Sequence, residues 1–388
     1  MIKRPSLGTI AALAVAAMLA LGGTGWWYRT SRPEYRFRTG EEAARTGNFE
    51  RAERNATALE EGGQTDLALL LRGEIAYHQA DAARGMAYVN QIKGEGEIRV
   101  RGAVLAARCM IALKNPREAE KALYFVLNQA PDNIEAHRWL AVIYYDQGDF
   151  KRTIPHLEEV AKLDPKDERP HFLLGSIHKD MEEADEAVKA FKESLRRRPA
   201  GPQAIETREA LAEAQIKNYQ EADALKTLQG LDSAKAVALK AEAMITLGRA
   251  VESVSLLDEA LAKFPDTGSL MRLRGERYRD AGDQETAAKL LERVIALDPQ
   301  DYRSRSQLAL CYNALDRTKE GEEQNKKAKA TQDLIEKVHD LGNAAMKDPW
   351  DAATRDQLAV LFDQLNRPQM AKMWRIAAAA CRAPRPPR

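Results

Sequence analysis

The stretch HRWLAVIYYDQGDFKRTIPHLEEVAKLDP, residues 137–165, decides how this chain folds. Leu140, Ala141 and Tyr144 make one apolar stripe at helical spacing, Phe150 and Leu157 make a second, and Gly148 lies between them. A glycine there can take the left-handed conformation that ends a helix, and Pro165 closes the second helix because proline cannot continue one. The stretch therefore reads as two antiparallel helices joined by a short turn. Pro170 suits the first turn of a following helix, where no helical N–H is lost.

The same punctuation recurs. Pro131, Pro165 and Pro199 are 34 residues apart, as are Pro265 and Pro299, which is a period to be tested first as a helical solenoid. With each proline set at position 32, blocks begin at 100, 134, 168, 234 and 268. Position 8 is then always small (Ala107, Ala141, Gly175, Ala241, Gly275), and so is position 20, while position 24 is large (Leu123, Leu157, Phe191, Leu257, Leu291). Small residues let two helices approach, and large ones fill the gaps around them. A single hairpin cannot bury its own apolar face, so stability requires stacked neighbours.

This pattern resembles the tetratricopeptide repeat (TPR), with Leu140, Ala141, Tyr144, Gly148, Phe150, Leu157 and Pro165 at matching places. The resemblance implies an all-α fold, an α-solenoid whose antiparallel helix pairs wind into a right-handed superhelix. It covers residues 33 to 383. Degenerate repeats are expected over 33–97, three well-formed ones over 100–199, a degenerate one over 202–231, two well-formed ones over 234–299, and degenerate repeats with one long helix over 302–383. The basic, proline-rich end at 384–388 reads as a disordered tail.

Composition narrows the function. The 59 basic and 58 acidic residues cancel, so no net field recruits nucleic acid. Cys109, Cys311 and Cys381 stand far apart, which rules out a disulfide framework and a cysteine-based zinc site. Cys109 and Cys311 share position 10 of their blocks and read as small buried residues. His137, His171 and His178 fall on helix-packing positions, so the sequence implies no metal, no cofactor and no small-molecule substrate. No phosphate loop, zinc-helix or nucleophile-elbow motif is found, and the chain reads as non-enzymatic.

The N-terminus carries the second signal. Residues 1–6 form a short basic segment, and residues 7–28 form an apolar run of the length a spanning helix needs, about 20 residues. Trp26, Trp27 and Tyr28 follow where an aromatic belt meets the membrane interface. A cleaved signal peptide, with Ala20 and Gly22 before the cut, is the rival reading; the length of the run and its Trp pair favour a retained single-pass anchor. Lys3 and Arg4 favour a cytoplasmic N-terminus, whereas Arg29, Arg32, Arg36 and Arg38 argue the other way. The expectation adopted is an extracytoplasmic repeat region in a bacterial cell.

In the resemblance, first helices line a concave groove through positions 2, 5, 9, 12 and 13. These place Arg138, Val142, Tyr145 and Asp146, then Arg169, Phe172, Ser176 and Lys179, then Arg272, Glu276 and Arg279 on the groove. Arg138, Tyr145, Phe172 and Lys179 form a mixed aromatic and basic patch suited to an extended peptide or helix of a protein partner with an acidic group. The asparagine by which chaperone-tail-binding members clamp a carboxylate is replaced by Val142, Ser176 and Glu276. The function expected is a membrane-anchored scaffold or adaptor. The alternatives are an accessory factor in envelope biogenesis or secretion, and a regulatory scaffold of an enzyme complex.

Overall fold

The computed structural model describes residues 32–348 and 350–382. The apolar segment 7–28, with Trp26, Trp27 and Tyr28, and the tail 384–388 lie outside them. Among the described residues no helix is long and apolar enough to cross a membrane. Twenty helices and no strand occur there, in ten successive pairs. They are α1 (Pro33–Arg45) and α2 (Phe49–Glu61), α3 (Thr65–His78) and α4 (Ala82–Val89), α5 (Glu97–Ala112) and α6 (Pro116–Gln129), and α7 (Ile134–Asp146) and α8 (Phe150–Leu163). Then come α9 (Arg169–Asp180) and α10 (Ala184–Arg197), α11 (Pro202–Lys217) and α12 (Glu221–Thr227), and α13 (Ala234–Thr246) and α14 (Ala250–Lys263). The last six are α15 (Gly268–Asp280) and α16 (Gln284–Leu297), α17 (Tyr302–Ala314) and α18 (Thr318–Lys347), and α19 (Ala352–Gln364) and α20 (Pro368–Arg382).

One backbone device makes every pair. A residue with left-handed φ follows each first helix: Gly47, Ala80, Lys114, Gly148, Glu182, Tyr219, Gly248, Gly282, Asp316 and Asn366. The next residue then starts the return, and Asn48, Asp81, Asp149 and Asp283 cap their helices by accepting a backbone N–H three residues on. Pro165 lies in the turn between α8 and α9, and Pro170 occupies the first turn of α9.

The chain divides into two compact units, one ending at Trp139 and one starting at Leu140. In the first, Phe37, Leu59, Leu71 and Leu105 are almost fully buried, and Gly40 makes room for the Leu71 side chain, which would stand 2.5 Å from a Cβ at that position. In the second, Phe191, Leu257, Leu291 and Leu308 anchor successive core clusters. Within each unit, first helices of successive pairs touch: α1 with α3 and α3 with α5, then α9 with α11 and onward to α17. Successive second helices make no comparable contact among the described residues. Each stack therefore curves with its first helices on the inner layer, where a partner-binding face would lie.

The second unit also returns on itself. Gln147 in the α7–α8 turn accepts a hydrogen bond at its backbone carbonyl from Arg355 Nη2 of α19, 2.6 Å away and 208 residues later in the chain. A Cβ on neighbouring Gly148 would stand 3.2 Å from the Trp374 ring of α20. The far side of the last pair is tied down separately, by Arg367 to Asp298 at 2.7 Å and by Gln300 Nε2 donating to the Gln364 carbonyl at 3.0 Å.

Candidate partner-binding face

The inner layer of the first unit bears an open cleft of about 680 Å³ lined by Tyr35, Glu41, Glu74, Arg108, Glu135 and Trp139, among others. Arg108 on α5 reaches Glu74 on α3 at 2.6 Å, and both side chains are largely buried. The two are 34 residues apart, so the repeat period is also the spacing of this ion pair. Burial raises the Glu74 carboxyl above the ordinary carboxylate range, with Glu135 pushing the same way against Arg108. Burial likewise raises Glu41, reinforced by Glu74. His78 is lowered, by burial first and by Arg108 second. Arg138, also in this unit, pairs with Glu135 at 2.8 Å.

The second unit holds the other residues that the sequence places on the groove. On α7, Val142 is 39% exposed and Tyr145 is 40% exposed. Tyr145 leans on Phe150 with ring centroids 5.9 Å apart, and its phenol is raised by burial, then by Asp180 and Asp146. Tyr145 thus faces α9 from α7, and Asp146 is exposed beside it. On α9, Ser176 donates its hydroxyl to the Phe172 carbonyl, and Phe172 is half-buried with its ring 5.7 Å from Phe191. Phe172 is thereby part core and part face.

The cations of the expected patch are already paired within the chain. Arg169 binds Asp167 at 2.7 Å, Arg272 binds Glu276 at 2.9 Å and Arg279 binds Asp280 at 2.6 Å. Lys179 on α9 lies 3.5 Å from Glu213 on α11, and Glu213 also takes Lys235 of α13 at 3.4 Å. A carboxylate ligand would have to exchange with these partners, at little cost where a pair is exposed to water. Val142 and Tyr145 need no such exchange.

Sequence reasoning missed several members of the inner layer. Glu213 follows Lys179 by 34 residues, so the period itself was the available signal. Leu310 on α17 and Val360 on α19 are each 52% exposed. Their counterpart on α7 is Val142; a block starting at 302 puts Leu310 at the same position 9, whereas the 30-residue α18 breaks the period and Val360 is found only by restarting the count at Ala352.

The histidines take separate partners. His137 lies 3.0 Å from the Pro131 carbonyl, His178 lies 2.6 Å from Glu183, and burial lowers His171. All three cysteines are buried free thiols, and burial pushes Cys109 up to about 11.

Family profiles described as tetratricopeptide repeat match residues 110–177, 169–200, 238–302 and 272–333. Together with the paired helices, these matches show that residues 110–200 and 238–333 of the chain carry tetratricopeptide repeats. Solved structures similar to parts of it include the MamA protein, with 20% identity over 44% of this chain and 94% of that one and a TM-score of 0.33. YrrB, described as a TPR protein with an unusual peptide-binding site, has 16% identity over 48% of this chain and 96% of that one, with a TM-score of 0.38. The Cut9–Hcn1 hetero-tetramer of the APC/C matches 91% of this chain and 88% of that one at 11% identity and a TM-score of 0.38. No curated protein matches the chain.

Proposed function

We propose that this protein is a non-enzymatic scaffold, held at a membrane by residues 7–28, whose second unit receives an extended segment of a partner protein on its inner helical layer. The observation that carries the reading is the exposure of Val142 and Tyr145 on that layer, beside cations that are already paired. Apolar and aromatic anchors supply most of the energy of a peptide interface, while a charged surround sets register. Arg169, Phe172, Ser176, Lys179, Arg272, Glu276 and Arg279 form that surround. Arg138 and Asp146 flank the anchors in sequence.

A photo-crosslinking amino acid tests the face directly. Placed at Tyr145 in the full chain in its native membranes, it should yield discrete protein adducts. At Val251, 86% exposed on the second helix α14, it should yield none. Equal adducts at both positions, or none at Tyr145, would refute the inner-face reading.

Anchoring makes a separate prediction. The full chain should stay in the membrane pellet after alkaline extraction, and deletion of residues 7–28 should release it to the supernatant. A reporter active only outside the cytoplasm and fused after Arg388 should be active if the N-terminus is cytoplasmic, as Lys3 and Arg4 suggest. An extracytoplasmic repeat region would suit an accessory role in envelope assembly or secretion.

A further inference from the structure

We infer that the last helix pair is a latch: α19 and α20 close the second unit onto its own α7–α8 turn, and the closure is poised to release. Seven pairs run from α7/α8 to α19/α20, each stacked on the next, and the seventh touches the first. The unit is therefore a closed circuit of helices, and its inner layer faces a channel. Closing it limits entry to an extended segment, and a bulkier partner needs the latch open. That consequence rests on the inner-face reading above, whereas the latch itself does not.

The chemistry of the seam shows why it is poised. The Arg355 side chain is 0% exposed and Gln147 is 3% exposed. Arg355 Nη1 donates to the Asp351 carbonyl at 3.0 Å and the Asp348 carbonyl at 3.3 Å, so one guanidinium ties the α18–α19 connection to the α7–α8 turn. At the same seam the Arg355 Nε, both side-chain amide atoms of Gln147 and the Trp374 Nε1 are buried with no hydrogen-bonding partner in the protein. Opening exposes all four groups to solvent, so each favours the open form, while the Arg355–Gln147 bond and the Gly148–Trp374 contact favour the closed one. The other such unpartnered atoms among the described residues of this unit, His171 Nε2, Gln220 Oε1, Arg277 Nε, Gln284 Oε1 and Gln307 Oε1, fall one to a side chain, whereas the seam gathers four on three side chains.

Spin labels at Lys151→Cys in α8 and Lys372→Cys in α20 read the seam in the full chain, because both sites are exposed and all three native cysteines are buried. Pulsed dipolar spectroscopy should give a narrow distance distribution for the unaltered seam. Gly148→Ala puts a methyl against the Trp374 ring and should produce a longer-distance population equal to or larger than the closed one. Gly282→Ala imposes comparable backbone strain, at φ 88° against 71° for Gly148, but meets nothing within 4 Å, and should leave the distribution unchanged. Trp374→Phe keeps the ring and removes one unpartnered N–H, so it should sharpen the closed population. The latch is refuted if Gly148→Ala leaves the distances alone, or if Gly282→Ala moves them equally. If the distances open and crosslinking from Tyr145 stays the same, the latch stands and the inner-face reading falls.

Discussion

Replacing Arg108 by alanine is expected to cost the first unit about 3–5 kcal/mol at pH 7.5, the range for breaking a buried ion pair by removing one partner. The Glu74 carboxylate, 7% exposed in its side chain, would lose its 2.6 Å partner. The closest remaining basic group is His78, whose Nε2 stands 3.8 Å from Glu74 and which carries charge only when protonated, while Arg101 acts on Glu74 from farther off. Glu135 raises Glu74 further, so the site left behind is a desolvated anion facing another anion. Arg108 also lies over the Tyr77 ring at 4.3 Å, and that stacking would be lost too.

The sign of the pH dependence follows from the raised carboxyl. A carboxyl whose folded pKa lies above its unfolded value favours folding when protonated, and that contribution is lost as pH rises through the folded pKa. Removing Arg108 raises Glu74 further, so the penalty is complete above the new folded pKa and shrinks as pH falls and Glu74 takes up its proton. His78 acts in the same direction. Arg108 is one of the groups that lower it, so in the variant it protonates more readily and partly replaces the lost charge. Hydrogen exchange in α3 and α5 at pH 7.5 and pH 5 reads the effect locally, without requiring both units to unfold together. Adding Glu74→Gln to Arg108→Ala should restore most of the protection at pH 7.5. An equal loss at both pH values, or no rescue by Glu74→Gln, would show that the pair acts by packing alone.

The helix pairs were legible where side-chain pattern and backbone demand coincide. Gly148, Gly248 and Gly282 mark left-handed turns because glycine adopts that conformation freely, and the prolines mark the seams. The same conformation is held at Ala80, Lys114, Glu182, Tyr219, Asp316 and Asn366. An L side chain there costs of order 1 kcal/mol, and the flanking helices supply that energy through packing, so no residue type announces the turn. Lys114 and Glu182 lie in pairs that the 34-residue period still marks. The pairs around 66–97 and 202–231 also have short second helices, α4 of 8 residues and α12 of 7, and so look degenerate in sequence although their backbones turn in the same way. The candidate face was legible in position but not in electrostatics. Lys179 and Arg169 read as open cations in a linear chain. Their partners are Glu213, one repeat away, and Asp167, in the preceding turn, and only the stacked structure shows those charges already taken.

Phe191→Ala is expected to destabilise the second unit by about 3–5 kcal/mol, as for other phenylalanines removed from a close-packed core. Phe191 is 0% exposed and packs with Ala187, Val188, Ala210, Leu211 and Ala214, so the hole opens between α9, α10 and α11. Its edge also supports Phe172 on the inner layer, so the face loosens along with the core. Gly175 gives the prediction a sharper form. A Cβ at that position would stand 2.7 Å from the Phe191 ring, and the ring, held on all sides, cannot retreat. Gly175→Ala alone should therefore destabilise by about 1–3 kcal/mol, the range for overpacking a core. Once Phe191 is alanine the clash is gone, and what remains is the helix preference for alanine over glycine, worth about 0.5–1 kcal/mol. In the Phe191→Ala background, then, Gly175→Ala should stabilise, and a double-mutant cycle by chemical denaturation should return a coupling energy whose sign reflects that reversal. Additive losses would mean that α9 and α10 separate enough to absorb the methyl, and that small residues at position 8 are not what lets the two helices approach.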